Sequence, residues 1–323
     1  MYGLQTLSLL MVILLPISSS AQDVRTRQIA ETLLERANSL STPREFHPYE
    51  QIITFQSISP DGVKHGRFTS VVQGPRSYRD EYQFGDYRLL VVVNGDLIAD
   101  VGDRARAPLE VRRMTRLNHP YTARFDESDV IRSIQEGQVG GRPAECIQFE
   151  TIMGQIAAAN EICIDKELKI LSRAKVNGEV VTNSGFFAYG DTFLPAHIGY
   201  QQNDLRMELE QSKTEMQGPF DPDFLAPPPD ARIAHVCMVY RRPFGKFMPQ
   251  PKPGNGKQNF DIIVHGTVRA DGSIRDTSID FSKREDLNQE AIELFKYWRF
   301  TPAMCDGVAV EIPADITLHF QNR

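Results

Sequence analysis

The chain of 323 residues is too long for a single small core and fits two domains of ordinary size. With 41% apolar and 24% charged residues, and Gly and Pro scattered, it has the composition of a folded protein rather than a disordered one. A net charge of -6 argues against a nucleic-acid partner and against a broadly cationic membrane-binding surface.

At the start, the first side-chain charge is Asp23, and the apolar run Leu7 to Ile17 precedes Ser18-Ser19-Ser20-Ala21. This is the shape of a signal peptide over residues 1–21: the run spans roughly half a bilayer and is followed by small residues suited to cleavage after Ala21. Cleavage predicts a periplasmic protein starting at Gln22. The alternative is a short uncleaved N-terminal anchor. No Cys stands directly after the run, so no lipid-attachment motif is expected.

From Val24 to Leu40, Ile29, Leu33, Ala37 and Leu40 recur on one stripe of an amphipathic helix. Runs rich in Val, Ile, Phe and Tyr follow, separated by turn dipeptides such as Gly85-Asp86, Asn94-Gly95 and Asn177-Gly178, which predict an antiparallel meander. Between Pro108 and Gln138 the alternation stops. There Leu109, Val111, Met114 and Leu117, then Val130, Ile131 and Ile134, predict two short inserted helices. The sheet resumes to about Met216. This gives one domain over 22–216.

Around Asn94-Gly95, Leu89, Val91, Val93 and Ile98 share one strand face and Leu90, Val92, Leu97, Ala99 and Val101 the other. A strand apolar on both sides is either sandwiched in a core or lines an apolar groove, with Leu89, Val91, Val93 and Ile98 as candidate groove lining. The cluster Arg104, Arg106, Arg112, Arg113 and Arg116 either meets lipid phosphates at a groove mouth or forms a solvated helix face balanced by Glu110.

Residues 217–232 are expected to be a linker, with five prolines between Gln217 and Asp230 and little that packs. A second unit, 233–323, is predicted with strands Ile262 to Arg269 and Ile274 to Phe281, one helix, and a last strand Val308 to Phe320. In the helix Asp286 is the expected N-cap with Gln289 at N3, and Leu287, Ala291, Leu294, Phe295 and Trp298 form its apolar stripe.

The four cysteines of an exported chain point to disulfides. A two-residue turn at Gly154-Gln155 pairs Met153 with Ile156, and counting outward sets Cys146 opposite Cys163 at a non-hydrogen-bonded position. Parity puts both with Gln148, Glu150 and Glu161, off the face of Ile147, Phe149 and Ile162. Two reduced cysteines used as small core residues would sit on the apolar face instead. Cys237 and Cys305 pair by elimination.

Residues 264–320 carry Gly266, Val268, Asp271-Gly272, Ile274, Asp276, Ile279, Leu287, Ala291, the run Trp298-Arg299-Phe300-Thr301-Pro302-Ala303, Gly307, Val310 and Ile312-Pro313. This pattern resembles the C-terminal domain of TonB-type proteins. The resemblance implies a small domain of antiparallel strands and one helix, placed in the periplasm, that meets an envelope or outer-membrane protein by pairing an edge strand with it. The candidate edge is Val308, Val310, Ile312, Ile316, Leu318 and Phe320. The chain lacks the membrane helix and long spacer of a TonB energy transducer, so docking rather than energy coupling is implied. Residues 24–216 resemble, by pattern, the half-barrel of LolA-type lipoprotein-sorting proteins, which implies binding of a lipid or acyl chain.

The fold class is thus α+β, an antiparallel half-barrel with short helices followed by a TonB-like unit. No cofactor or metal is expected, since the seven His are isolated and no phosphate-binding or nucleophile-elbow motif occurs. Three functions follow in order: a non-enzymatic periplasmic interaction protein associated with envelope transport, a lipid or lipoprotein carrier, and a hydrolase hidden in the groove.

Overall fold

The alternation of the sequence is realised strand by strand. A computed structural model describes residues 18–42, 45–59, 62–117, 124–126, 128–153, 156–218, 221–249, 260–282 and 284–320. The expected signal segment lies largely outside these residues, as do the turn residues Gly154 and Gln155. Helix α1 (Ser18–Ser41) comes first. Strands β1 (Tyr49–Ser59), β2 (Gly62–Gly74), β3 (Ser77–Phe84), β4 (Tyr87–Asn94) and β5 (Leu97–Val101) form one meander. Helix α2 (Leu109–Leu117) separates it from β6 (Asp129–Val139), β7 (Arg142–Met153), β8 (Ile156–Asp165), β9 (Leu171–Val176) and β10 (Glu179–Ser184). A small hairpin of β11 (Phe187–Tyr189) and β12 (Thr192–Leu194) stands apart. Strands β13 (His197–Gln202) and β14 (Leu205–Glu215) then join the two meanders, because β14 pairs with β1 and β13 with β10. With β15 (Arg232–His235) beside β5, the sheet has 13 strands.

Period two decides the faces. In β14, Leu205, Met207 and Leu209 are buried while Arg206, Glu208 and Glu210 are exposed. Helix α1 lies on the half formed by β6 to β9, and Ala30, Leu34 and Ala37 pack on Ile147, Phe149, Ile162 and Ile164. The buried stripe keeps the expected Ala37 and adds Ala30 and Leu34, with Leu33 packed at its margin and Ile29 exposed. Helix α2 covers the other half with Leu109, Val111 and Met114, each contributing ~1.5–3 kcal/mol through burial.

The expected second inserted helix is strand β6. Its register shifts between Ile131 and Ser133, leaving Arg132 as the extra residue of a bulge. That bulge brings Ile131 and Ile134 to the same face, three residues apart, and so imitates helical spacing.

The C-terminal unit starts with the short strands β16 (Tyr240–Arg241) and β17 (Phe244–Phe247). Strand β18 (Phe260–Val268) is the centre of a three-stranded sheet between β19 (Ile274–Ser282) and β23 (Ile312–Phe320). Helix α3 (Asn288–Lys296) packs Ala291 and Phe295 on Ile262, Val264 and Leu318, with Trp298 and Phe300 closing the cluster. Strand β20 (Arg299–Thr301) pairs with β17, and β21 (Ala303–Cys305) forms a hairpin with β22 (Val308–Val310). At the turn before β19, Gly272 has φ +81°, and a Cβ there would lie 2.0 Å from the Phe300 carbonyl oxygen. Phe300 N–H donates to the Gly272 carbonyl at 2.9 Å, which ties the Asp271-Gly272 turn to the Trp-Arg-Phe run.

The structure departs from three local expectations. Asp286 does not cap α3; its carboxylate accepts two hydrogen bonds from Arg284, and a single 3-10 turn precedes the helix. The last strand is broken at Glu311, because the Asp306-Gly307 turn, with both φ positive, folds Val308–Val310 back on β21. The Pro-rich segment also packs: Leu225 is buried on Val92 and Ala99, behind the large sheet.

Both expected disulfides are formed. Cys146 stands opposite Cys163 with Cα atoms 4.0 Å apart, on the side of the ~4.5 Å of a non-hydrogen-bonded pair rather than the ~5.5 Å of a hydrogen-bonded one. The pair is buried with Val139 and Ala144, away from the α1 side of the sheet.

Candidate functional site

On the α2 side of the sheet, register lines up side chains in rows that cross the strands. One row runs from Lys213 (β14) to Gln51 (β1), Ser70 (β2), Asp80 (β3) and Val91 (β4), each residue directly opposite the next. The adjacent row is Gln211, Ile53, Phe68, Tyr82 and Leu89. The sheet thus has an apolar interior crossed by one polar belt. Nothing in the local sequence of any one strand announces the belt, although the alternation from Leu205 to Lys213 places Gln211 and Lys213 on the inner face.

A cavity of about 890 Å³ opens over these rows. Its apolar wall includes Val72, Leu89, Val91, Val111, Val181 and Ile198, and its polar groups include all four members of the belt. The volume lies within the ~300–1,000 Å³ usual for ligand sites. Of the predicted groove residues, Leu89 and Val91 are on the cavity wall. Val93 is buried beside them in the same cluster and Ile98 is half-buried against it. The opposite face of the strand, with Leu90 and Val92, lies under Leu225 and Phe224.

Burial pushes the Asp80 carboxyl up to about 6, against the hydrogen bond it accepts from Ser70 at 2.6 Å. Burial also lowers the Lys213 ammonium to about 8. A carboxyl whose folded value is raised carries no penalty below about pH 4; the penalty grows through about pH 6 and is complete above it. Asp80→Asn is therefore expected to stabilise the protein at pH 7 by on the order of 2 kcal/mol and to change little at pH 4. Urea denaturation at the two pH values measures the difference.

The arginine cluster divides. Arg106 is exposed, Arg104, Arg112 and Arg116 line the cavity, and Arg116 donates to both oxygens of Glu179 at 2.9 Å. Arg112 and Arg113 are not a solvated face: their side chains are 15% and 8% exposed. Arg112 pairs with Asp280 of β19 and, at 3.0 Å, with Asp315 of β23. Arg113 donates to Gln202 at 3.1 Å and lies 3.8 Å from Asp315. His265 Nδ1 of β18 is 2.8 Å from Asp315. Burial pushes Asp315 up, but the His265 hydrogen bond and the charges of Arg112 and Arg113 outweigh it and hold the carboxyl below its ordinary range. Burial raises Asp280 despite Arg112. His265, Asp280 and Asp315 bring ligand atoms within 4.8 Å of one another, but the Arg112 guanidinium is the cation that serves both carboxylates. Cys146, Glu161 and Cys163 also cluster, with both sulfurs taken up in the disulfide.

These contacts give the C-terminal sheet two buried faces. On β23, Ile312, Ile316, Leu318 and Phe320 face α3 and its core, while Asp315 meets α2 and Pro313 lines the cavity. Strand β23 is an edge of its sheet. Val308 is exposed and Val310 half-exposed, on a separate edge strand, β22. Among the described residues no helix is long and apolar enough to cross a membrane.

Residues 255–321 match the family profile of the Gram-negative bacterial TonB protein C-terminal domain. No curated protein matches the chain. Among solved structures, a LolA superfamily protein from Nitrosomonas europaea is 10% identical, aligns over 61% of this chain and 99% of its own, and has a TM-score of 0.35. A DUF1329 family protein from Desulfovibrio piger is 10% identical over 62% and 97%, with a TM-score of 0.40. The MucA/MucB complex of Pseudomonas aeruginosa contains a chain 14% identical over 76% and 82%, with a TM-score of 0.28. At these scores the structural likenesses are ones of outline.

Proposed function

We propose that the chain is an exported, non-catalytic binding protein of the periplasm that holds an acyl chain over its large sheet and meets an envelope protein through its TonB-like unit. The cavity of about 890 Å³ carries this reading, since its apolar wall and open mouth suit a lipid chain. The two disulfides fit an oxidising compartment. Strand β23 links the two activities: Pro313 borders the cavity, Asp315 is ion-paired to α2, and the strand edge is the proposed docking line for a partner peptide. The hydrolase reading calls for convergent carboxylates or a Ser–His pair. Within the belt the one carboxylate, Asp80, stands roughly 14 Å from Lys213 at ~4.8 Å per strand, with no second carboxylate in the row.

A fluorescent fatty acid should bind the full chain with a saturable rise in emission. Val91→Asp places a carboxylate on the apolar wall and is expected to lower affinity at least ~10-fold, the effect of losing about 1.4 kcal/mol. Absence of saturable binding by the wild-type protein would remove the proposal before any variant is made.

A further inference from the structure

We infer that Lys213 is the anchor for the anionic head group of an acyl-chain amphiphile, a carboxylate or a phosphate, whose chain lies along the Leu89 and Val91 wall. This rests on the cavity being a lipid site and specifies the ligand that it selects.

Strand parity sends Lys213 inward with Met207, Leu209 and Gln211, and the side chain ends at the cavity in a cleft of two rings. Its Nζ lies 3.4 Å from the centroid of Tyr49 and 4.6 Å from that of Tyr189, and these rings stand edge to face with centroids 6.1 Å apart. Ring faces favour an ammonium but leave its three N–H donors without an anion. Among the described residues the Lys213 ammonium forms no ion pair and no side-chain hydrogen bond, and its contacts are the two rings. Two acidic groups near it have other neighbours. Glu215, next on the same face, lies 3.4 Å from His47 Nδ1, and Asp80 is held by Ser70 three strands away. The neighbouring amides hold each other, since Gln51 donates to Gln211 at 2.8 Å and Gln211 donates to the Pro195 carbonyl.

A desolvated cation with no counter-ion weakens a fold, and the same burial lowers the Lys213 ammonium value. An anion arriving with its own apolar chain would supply the missing partner. The chain's path is set by the wall residues Leu89, Val91, Val111, Val181 and Ile198. A free fatty acid and a lysophospholipid offer the same chemistry, a terminal anion on one acyl chain.

The test is calorimetric titration of the full chain with oleate, lysophosphatidate and methyl oleate. Wild type should bind at least one of the two anions ~10-fold or more tighter than the ester, the scale of a charge-assisted hydrogen bond, and the tighter anion identifies the source. Lys213→Gln should remove that advantage without weakening the ester and should raise the melting temperature, whereas Lys213→Arg should keep the preference. Equal binding of anions and ester by wild type overturns the anchor and leaves the lipid cavity standing; that comparison needs no variant to fold. An equal loss of anion and ester binding in Lys213→Gln also overturns it. If none of the three ligands binds, the anchor and the cavity reading fall together.

Discussion

Arg112→Ala is expected to destabilise the protein by about 3–5 kcal/mol, because it leaves the buried carboxylates of Asp280 and Asp315 without their shared cation. Truncating one member of a buried charge network costs far more than the network contributes over apolar residues of the same shape. Arg112→Met should therefore cost less if it is combined with Asp280→Asn and Asp315→Asn. The loss should also be regional. Arg112 belongs to α2, on the large sheet, while both its partners belong to the TonB-like unit, so calorimetry of Arg112→Ala should show the C-terminal unit melting ahead of the rest. Ile263 and Phe281 pack into the core under α2 and set a limit to that separation.

Replacing Cys237 and Cys305 by Ala should cost ~4 kcal/mol in the chain-entropy model, more than the ~3 kcal/mol expected for Cys146 and Cys163. The reason is loop length, with sequence separations of 68 and 17. The longer bridge ties the segment after β15 to the strand hairpin following Trp298. The Asp306 carboxylate reinforces that attachment by accepting the amides of Met238 and Val239 at 3.1 and 2.6 Å, so part of the contact should survive reduction. Thermal melts of the two double variants, each compared with wild type under non-reducing conditions, give the order. A larger effect from the short bridge would show that native packing, not chain entropy, dominates here.

The parts of this molecule that were legible in its sequence are the local ones. Turn dipeptides marked the meander, and one hairpin count placed Cys146 opposite Cys163, because register two residues at a time propagates from a tight turn. The stripe Leu287, Ala291, Leu294, Phe295 and Trp298 marked the face that α3 buries. Strand β6 has the sequence pattern of a helix because a bulge at Arg132 spaces Ile131 and Ile134 as a helix would. The Arg112 network was not legible, since its partners lie 168 and 203 residues away and a run of arginines on a short helix looks like a solvated face. The polar belt falls between these cases. Alternation put Lys213 on the inner face, but only strand order shows that Gln51, Ser70 and Asp80 continue its row.

What occupies the cavity over the large sheet decides what the protein binds. Native mass spectrometry of the full protein, extracted gently from its own envelope, measures this directly. The expected spectrum contains the polypeptide with a bound acyl-chain amphiphile, which is released on activation and absent from Val91→Asp prepared in the same way. A spectrum of bare polypeptide from wild-type protein, with or without a protein partner, would contradict the lipid-binding account.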